Sequence, residues 1–526
     1  MAVQAKASTV ESTGGGGGGG GGDRLEPALV RLALVVLVGA VVVQLDATIV
    51  SVALDTLARS FDVGVSTIQW VSTGYLLALA VVIPLTGWSV ERFGGKRMWL
   101  ASLTLFLVGS VLCGIAWSAG SLIAFRVVQG AGGGLLLPLM QTILAQAAGP
   151  ARLGRLMATV AVPALLTPVL GPVVGGVLID DLGWRWIFLV NVPVCAVAIA
   201  LAWRLMPEMR VAQRHPFDGV GFALLSPGLA VAIYGLSEAG RRGDFADPRA
   251  LVPMIVGLAM IAVFAWHALR TRIVPLIDLR LFRFASFCGS AGMMFLFGLS
   301  LYGAMLLLPL YEQQVRGRSA IEAGLLLAPQ GLGMMLAMIV VGRLVDRTSP
   351  RLLVLIGLGL SLLGSVAYTQ VGVDTSEVLL GGSLVLRGMG LAAASIPVMS
   401  AAYHGLRPAD IPRATSAVRI FQQIGGSLGT AVLAVVLAHQ LRGTTPGGAV
   451  ADLGTQAHAY AVAFWWTLGL SLLAVPLALL LPGRAAGSPR SAAPPDRLVA
   501  AETAAGSDPG TPGVAPAEPG PVARPV

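Results

Sequence analysis

Long apolar stretches separated by short polar segments make up most of the chain. Runs with few charges recur at about 20 residues, the length that a helix rising about 1.5 Å per residue needs to cross about 30 Å of hydrocarbon. Strands of a membrane barrel are shorter and alternate apolar and polar positions, so the pattern favours helices. We expect fourteen spans, at approximately residues 32–54, 71–88, 98–117, 122–145, 156–178, 186–203, 220–236, 251–269, 287–310, 323–341, 352–371, 378–399, 414–438 and 460–481.

The order of the apolar runs divides the chain into six spans, two spans and six spans. We predict an N-terminal six-helix bundle over residues 31–207, two inserted helices over 208–272 and a C-terminal six-helix bundle over 273–482. Residues 1–30 contain an unbroken glycine run and residues 483–526 are rich in Pro and Ala, so both segments are expected to be disordered. No small-residue cleavage site follows a short apolar region, so the first span should be retained.

Composition excludes several classes of protein. The chain is 56% hydrophobic and 12% charged, with a mean hydropathy of +0.81, a balance unsuited to the surface of a water-soluble domain. The net charge of +9 does not indicate nucleic-acid binding, because the basic residues are scattered singly through short loops. The three cysteines lack metal-ligand spacing and no phosphate-binding loop is present, so we expect no metal, no cofactor and no ATP-driven step.

The basic residues instead predict how the chain is oriented. If the N-terminus lies inside, the inner loops carry about twice as many arginines and lysines as the outer loops, the bias that cytoplasmic loops show. We therefore expect a multi-pass protein of the cell inner (plasma) membrane with both termini in the cytoplasm. Its expected partners are membrane lipids, protons and a small-molecule substrate, and it should function as a monomer.

Asp46 is the first candidate for chemistry, within the stretch QLDATIVSVAL of the first span. It follows Arg31 by fifteen residues, about 22 Å of helix, and therefore lies deep in the hydrocarbon. An ionised carboxylate is costly at that depth, so Asp46 is a candidate for a group that takes up and releases a proton during a cycle. The alternative is a protonated side chain that only hydrogen-bonds a neighbouring helix.

Arg126 is the second candidate, in the segment RVVQG of the fourth span, which also contains Gln129 and Gly130. This span enters from the opposite face, so Arg126 lies about 22 Å from the inner side, the depth estimated for Asp46. A guanidinium stays charged, and Arg126 would stabilise the ionised aspartate and polar groups in a water-filled cavity. The alternative is a structural pair with Gln129 or with backbone carbonyls.

The segment GPVVGG in the fifth span contains Gly171, Pro172, Gly175 and Gly176. Gly171 and Gly175 share one helix face and permit close approach of another backbone, while Pro172 removes a hydrogen bond and lets the helix bend. Ordinary helix packing is the alternative reading of this spacing.

A short glycine-rich and charged loop follows the second span and recurs in weaker form later in the chain. The sequence GWSVERFGGKR, from residue 87 to 97, is echoed by GRLVDRTSPR, from residue 342 to 351, and such internal symmetry is typical of transporters built from repeated bundles. We interpret the loop as a charge latch that holds the two bundles together on the cytoplasmic side, the alternative being topology alone. Its residues are Gly87, Glu91, Arg92, Gly94, Lys96 and Arg97, and the counterparts in the second half are Gly342, Asp346, Arg347 and, for Arg126, Arg387.

In the order in which they occur, these segments resemble the motifs of the major facilitator superfamily, and in particular of its fourteen-span drug:proton antiporters (the EmrB/QacA-like subfamily). The likeness extends from about residue 31 to 481 and includes WRWIFLVNVP at residues 184–193. It implies an all-α membrane protein with the major facilitator fold, two six-helix bundles plus two additional central helices, operating by alternating access. By the same resemblance, Asp46 would be the proton-coupling carboxylate and Arg126 its partner.

The chain departs from the family pattern at a few positions. Glu91 stands where the loop motif usually has aspartate, and Ser51 and Asp55 stand where the first-helix signature usually has asparagine and proline. Residues 323–341 carry no acid, which disfavours dicationic drugs.

The function we expect is proton-coupled export of small apolar or weakly charged compounds, as in multidrug or antibiotic efflux. Export of a specific lipid or endogenous metabolite is one alternative. A lipid-linked transferase in the membrane is another, disfavoured because the five histidines are dispersed and no carboxylate cluster marks a membrane face.

Overall fold

The chain is helical throughout the part that the structure describes. This computed structural model describes residues 26–208, 215–344, 348–404, 406, 410–443, 452–481 and 483. Two short 3₁₀ helices, Leu279–Arg283 and Ala367–Gln370, accompany the α-helices. The latter are α1 Pro27–Phe61, α2 Val65–Ile68, α3 Trp70–Val82, α4 Leu85–Phe93, α5 Gly95–Gly114, α6 Ala119–Leu182, α7 Trp186–Leu189, α8 Asn191–Leu205, α9 Gly219–Arg242, α10 Pro248–Arg270, α11 Ala285–Gln314, α12 Ala320–Leu325, α13 Ala328–Leu344, α14 Pro350–Val366, α15 Glu377–Ala402, α16 Ile411–Gly443, α17 Leu453–Leu472 and α18 Ala474–Ala478.

Within the described residues, 12 helical segments are long and apolar enough to cross a membrane, and a bent pair makes 13. The bent pair is α3 and α4, which meet at an angle of 57° and together correspond to the second predicted span. Pro84 lies at their junction, where a missing backbone N–H interrupts the helical hydrogen bonds. The predicted span at residues 156–178 lies in the second part of α6.

The contacts of α6 show that this helix doubles back. A Cβ at Gly133 would lie 3.3 Å from Val43 Cγ1, and a Cβ at Gly175 would lie 3.3 Å from Ile49 Cγ2. Val43 and Ile49 are about 9 Å apart along α1, whereas a straight helix would separate Gly133 and Gly175 by about 63 Å. The chain must therefore reverse between them, which agrees with two passes, and the count of fourteen stays a prediction.

The helices pack as two halves with a pair between them. In the N-terminal half α6 packs on α1, α3 and α5, and in the C-terminal half α11 packs on α16, and α15 packs on α13 and α14. Helices α9 and α10 pack on each other at Gly235 and Gly257, each of whose Cβ positions is within 2.6 Å of backbone in the partner helix. Because α9 also contacts α3 and α16, the inserted pair bridges the two halves.

The predicted domain boundaries are not resolved by this packing and remain predictions. The glycine-rich leader to residue 25, and Asp346 and Arg347 of the second loop, lie outside the described residues. The tail from residue 484 onward lies outside them as well. Gly342 lies in α13, in the last turn before that gap.

Candidate functional site

The carboxylate of Asp46 is fully buried in the N-terminal half and accepts three hydrogen bonds. Its Oδ2 accepts from Arg126 Nη1 at 2.5 Å, and its Oδ1 accepts from Gln129 Nε2 and Asn191 Nδ2, each at 2.9 Å. Four helices supply this site, with Asp46 on α1, Arg126 and Gln129 on α6, Ser110 on α5 and Asn191 on α8. The exposed fraction of Asp46 is 0% and that of Arg126 is 1%, so water does not reach either group in this conformation.

Arg126 is held in place on every side. Its Nε donates to the carbonyl of Val71 at 3.2 Å, and Nη1 also donates to Gln129 Oε1 at 2.7 Å. The guanidinium carbon lies 3.9 Å from the centroid of the Tyr75 ring, a cation–π arrangement. Gly130 permits this packing, because a Cβ there would approach the Tyr75 carbonyl oxygen to 2.6 Å. The ion pair is therefore part of a fully connected buried network, the form in which such a pair is stable.

Asn191 and Ser110 are members of the site that the sequence reasoning did not name. The hydroxyl oxygen of Ser110 accepts from Gln129 Nε2 at 2.6 Å and from Asn191 Nδ2 at 3.0 Å. The segment containing Asn191 was noted only for its family resemblance. A buried amide at the start of a span was the available signal, since such groups need polar partners in hydrocarbon.

The GPVVGG segment of α6 packs directly beside this site. A Cβ at Gly171 would lie 2.0 Å from Thr48 Oγ1, so only glycine allows α6 to approach α1 at this level. Gly175 is the next contact, against Ile49, and Pro172 and Gly176 lie on the same helix. Thr48 is two residues from Asp46, so this motif fixes the packing of α1 against α6 at the level of the carboxylate.

The charged segment at residues 87–97, predicted as a loop, is helical on both sides of Gly94, and its first part, on α4, contacts α16 of the C-terminal half. Glu91 on α4 forms an ion pair with Arg413 on α16, and a Cβ at Gly87 would lie 3.0 Å from Arg413 Cγ. The side chains of Glu91 and Arg413 are only 4% and 8% exposed. We call these three residues the gate contact. Sequence reasoning counted Arg413 only among the loop charges that orient the chain.

The remaining charges of the loop have different surroundings. Lys96 Nζ donates to the carbonyl of Trp203 at 2.7 Å and so ties the start of α5 to the end of α8. Arg92 and Arg97 are exposed. Gly94 joins α4 to α5 with a φ of +87°, a conformation that residues with a Cβ rarely adopt, and this lets one helix end and the next begin at a single residue.

Arg387 is buried in the C-terminal half without a described acidic partner. Its Nη1 donates to Gln330 Oε1 at 2.6 Å and its Nη2 to the carbonyl of Ser300 at 2.9 Å. Ser300 lies on α11 and Gln330 on α13. The counterpart of Arg126 therefore bonds to neutral oxygens, whereas Arg126 bonds to a carboxylate.

Chemically, the Asp46 site can hold one negative charge or one proton in a setting closed to water. No group of three His, Cys, Asp or Glu side chains within the described ranges could hold a metal ion. The class of protein that these features define is the secondary transporters: two helical halves, a broken span and a buried acid paired with a fixed cation. In this class alternating access moves a solute across the membrane.

The comparisons with known proteins identify the family. The family model described as Major Facilitator Superfamily matches residues 36–430, and the chain belongs to that superfamily. The chain is 44% identical over 420 residues to the Multidrug resistance protein B homolog of Mycobacterium tuberculosis (strain ATCC 25618 / H37Rv), covering 80% of this chain and 78% of that protein. It is 31% identical over 413 residues to the Multidrug export protein EmrB of Haemophilus influenzae, covering 77% and 80%.

Solved structures agree on the fold. The crystal structure of the human organic anion transporter MFSD10 (TETRAN) matches with a TM-score of 0.59 and 19% identity, covering 86% of this chain and 100% of that one. The protein is therefore a multi-pass transporter of the plasma membrane with the major facilitator fold.

Proposed function

We propose that the protein exports small apolar or weakly charged compounds, including antibiotics, in exchange for protons. The names of its relatives, a multidrug resistance protein and a multidrug export protein, support efflux of this kind. The observation that carries the proton exchange is the Asp46 site, a buried carboxylate paired with an arginine whose charge is fixed. The chain would act as a monomer in the lipid bilayer, with both termini in the cytoplasm.

The proposed cycle alternates between two states of Asp46. When the carboxylate is ionised, Arg126, Gln129 and Asn191 donate to it and draw α1, α6 and α8 together. Protonation removes the charge that these donors stabilise, so the network weakens and the half can change its packing. Release of the proton to the cytoplasm restores the network and completes the exchange.

The gate contact supplies the other requirement of alternating access, a contact between the halves that can open. Gly87 and Glu91 belong to the N-terminal half and Arg413 to the C-terminal half, so parting of the halves on this side must separate them. The positive-inside rule assigns this side to the cytoplasm. The conformation described here would then be closed to the cytoplasm, and opening of the gate contact would admit substrate.

The test is transport by purified protein in proteoliposomes with an imposed pH gradient, using a labelled antibiotic chosen from a susceptibility panel in a pump-deficient host. Asp46→Asn fixes the neutral form and should abolish accumulation against a gradient, while exchange down the gradient persists. Glu238→Gln is the matched control, because Glu238 is a buried carboxylate on α9 that pairs with Arg241 and Arg242 outside the network. Accumulation by Asp46→Asn with unaltered proton dependence would contradict the coupling role.

A further inference from the structure

Arg419 on α16 crosses from one half of the protein to the other. Its Nε donates to Gln141 Oε1 on α6 at 2.8 Å, and its Nη1 donates to Gln422 Oε1 on its own helix at 2.8 Å. It lies eight residues after the start of α16, about 12 Å along the helix, and six residues beyond Arg413 of the gate contact. The side chain is half-buried, so the guanidinium is not sealed from the space between the halves.

This guanidinium has no carboxylate partner among the described residues. Its acceptors are two neutral amide oxygens. Arg126 is paired with Asp46 and Arg413 with Glu91, and Arg419 lacks an equivalent. An arginine is expensive to bury without a negative charge, and such groups inside a membrane mark functional sites.

Positive charges outnumber negative ones among the deep side chains that the structure describes. Among the residues whose side chains the structure describes, three arginines lie more than six residues from both ends of their helix, Arg126, Arg387 and Arg419, and one carboxylate does so, Asp46. Since Asp46 forms an ion pair with Arg126, the described interior retains two positive charges without an acidic partner, those of Arg387 and Arg419. An electrostatic field of this sign favours a negative solute and disfavours a cation.

Opening of the gate contact changes what Arg419 can bind. Gln141 belongs to the N-terminal half, so separation of the halves removes the acceptor of Arg419 Nε, and Gln422 alone remains. A solute entering by that opening meets a guanidinium that has just lost a hydrogen bond. A carboxylate or sulfonate can replace the amide oxygen and accept two parallel hydrogen bonds from the guanidinium.

We infer that Arg419 recognises an acidic group, a carboxylate, sulfonate or phenolate, on amphiphilic compounds that the protein exports. The inference rests on the proposed efflux function and narrows it to acidic amphiphiles as preferred substrates. Gln141 competes with the substrate for the same guanidinium. In the closed form Gln141 takes the place of the acid, and the substrate has moved away from Arg419.

The experiment compares two fluorescent probes that share one aromatic scaffold. These are the anion 1-anilinonaphthalene-8-sulfonate and the neutral N-phenyl-1-naphthylamine, bound to the full-length protein in nanodiscs of zwitterionic lipid, so that anionic headgroups do not compete. The measured quantity is the selectivity, the Kd of the neutral probe divided by that of the anion. Hydrogen bonds to a charged group predict that Arg419→Gln lowers this selectivity by about ten- to a hundredfold.

Further variants separate recognition from a general effect on charge or folding. Arg419→Lys keeps the charge and should retain most of the selectivity, and Gln141→Leu removes the competing acceptor and should strengthen anion binding several-fold. Arg387→Gln removes another buried positive charge of the same half, which contributes only to the general field, and should lower the selectivity by a far smaller factor. An equal loss for both probes in Arg419→Gln, or an equal effect of Arg387→Gln, would overturn the inference.

Transport of the same probes distinguishes the failure of this inference from the failure of the proposed function. Proton-driven transport of the neutral probe with no preference for the anion would refute recognition by Arg419 and leave efflux standing. Selective binding of the anion without proton-driven movement of either probe would support the acid site and contradict proton-coupled efflux.

Discussion

Removing the acid of the gate contact should hold the protein open on that side. In the closed form the Arg413 side chain is only 8% exposed, and Glu91→Ala leaves it without its negatively charged partner. In the open form Arg413 would face water instead. Loss of one partner from a buried ion pair costs about 3 kcal/mol or more, a factor of about 150 in an equilibrium constant. A gate closed about 99% of the time in the wild type would then be open for more than half of the time.

Accessibility of Gln141 measures this shift, because its side chain is 8% exposed and lies between the halves. A single cysteine at position 141, in a background without Cys113, Cys195 and Cys288, is labelled with an impermeant maleimide in inside-out vesicles. We expect Glu91→Ala to raise the labelling rate by about fifty-fold, in proportion to the open fraction. Glu91→Asp keeps the charge and serves as the control, with a rate near that of the parent.

An unchanged labelling rate in Glu91→Ala, at matched expression, would refute the assignment of the ion pair to the closed form. A rise of the same size in Glu91→Asp would show that side-chain length and not charge closes the gate. A second perturbation at the same contact is Gly87→Leu, whose side chain must displace the backbone of Arg413 and should also increase labelling.

Three further predictions follow from the site and the topology. Gly171→Ala overpacks the contact with α1 and should lower the melting temperature of the detergent-purified protein by an amount equivalent to about 1–3 kcal/mol, whereas Gly175→Ala, where a Cβ would lie 3.3 Å from its neighbour, should have a smaller effect. Asn191→Ala removes one of three donors to the buried carboxylate, so the pH at which transport is half-maximal should rise, and an unaltered pH profile would place Asn191 outside the proton site. Cysteines replacing Lys96 and Arg241 should react with an impermeant reagent from opposite sides of the membrane, and labelling of both from outside would contradict the predicted orientation.

Features that depend on distance along one helix could be predicted from the sequence. Counting the helical rise placed Asp46 and Arg126 at one depth, and the structure joins them by an ion pair of 2.5 Å. The apolar runs likewise predicted the 12 or 13 candidate spans among the described residues, because hydrocarbon thickness sets their length. The fold class follows from the same constraint, since every backbone group in a bilayer must be hydrogen-bonded within the segment.

Features that depend on contacts between distant helices could not be predicted from the sequence. Arg413 lies 322 residues from Glu91 and reads as one more orienting charge, and Arg419 lies 278 residues from Gln141. Nothing in the local pattern distinguishes these arginines from others near a span end. The role of Asn191 was hidden in the same way, because its partner Asp46 is 145 residues away.

The solitary carboxylate in the interior limits how steeply the protein can concentrate its substrate. Every other helical acid whose side chain the structure describes lies within four residues of a helix end, namely Glu91, Asp180, Asp181, Glu238, Glu312, Glu322 and Glu377. If proton exchange proceeds through Asp46 as proposed, this acid alone provides for one proton per cycle. One proton entering under a pH difference of one unit and 100 mV releases about 3.7 kcal/mol, which sustains a gradient of about 500-fold for a neutral compound. Export of a monoanion adds the movement of a second charge, about 2.3 kcal/mol more, and raises that ceiling to above 10,000-fold. The same single acid would therefore move acidic compounds against gradients that it cannot sustain for neutral ones.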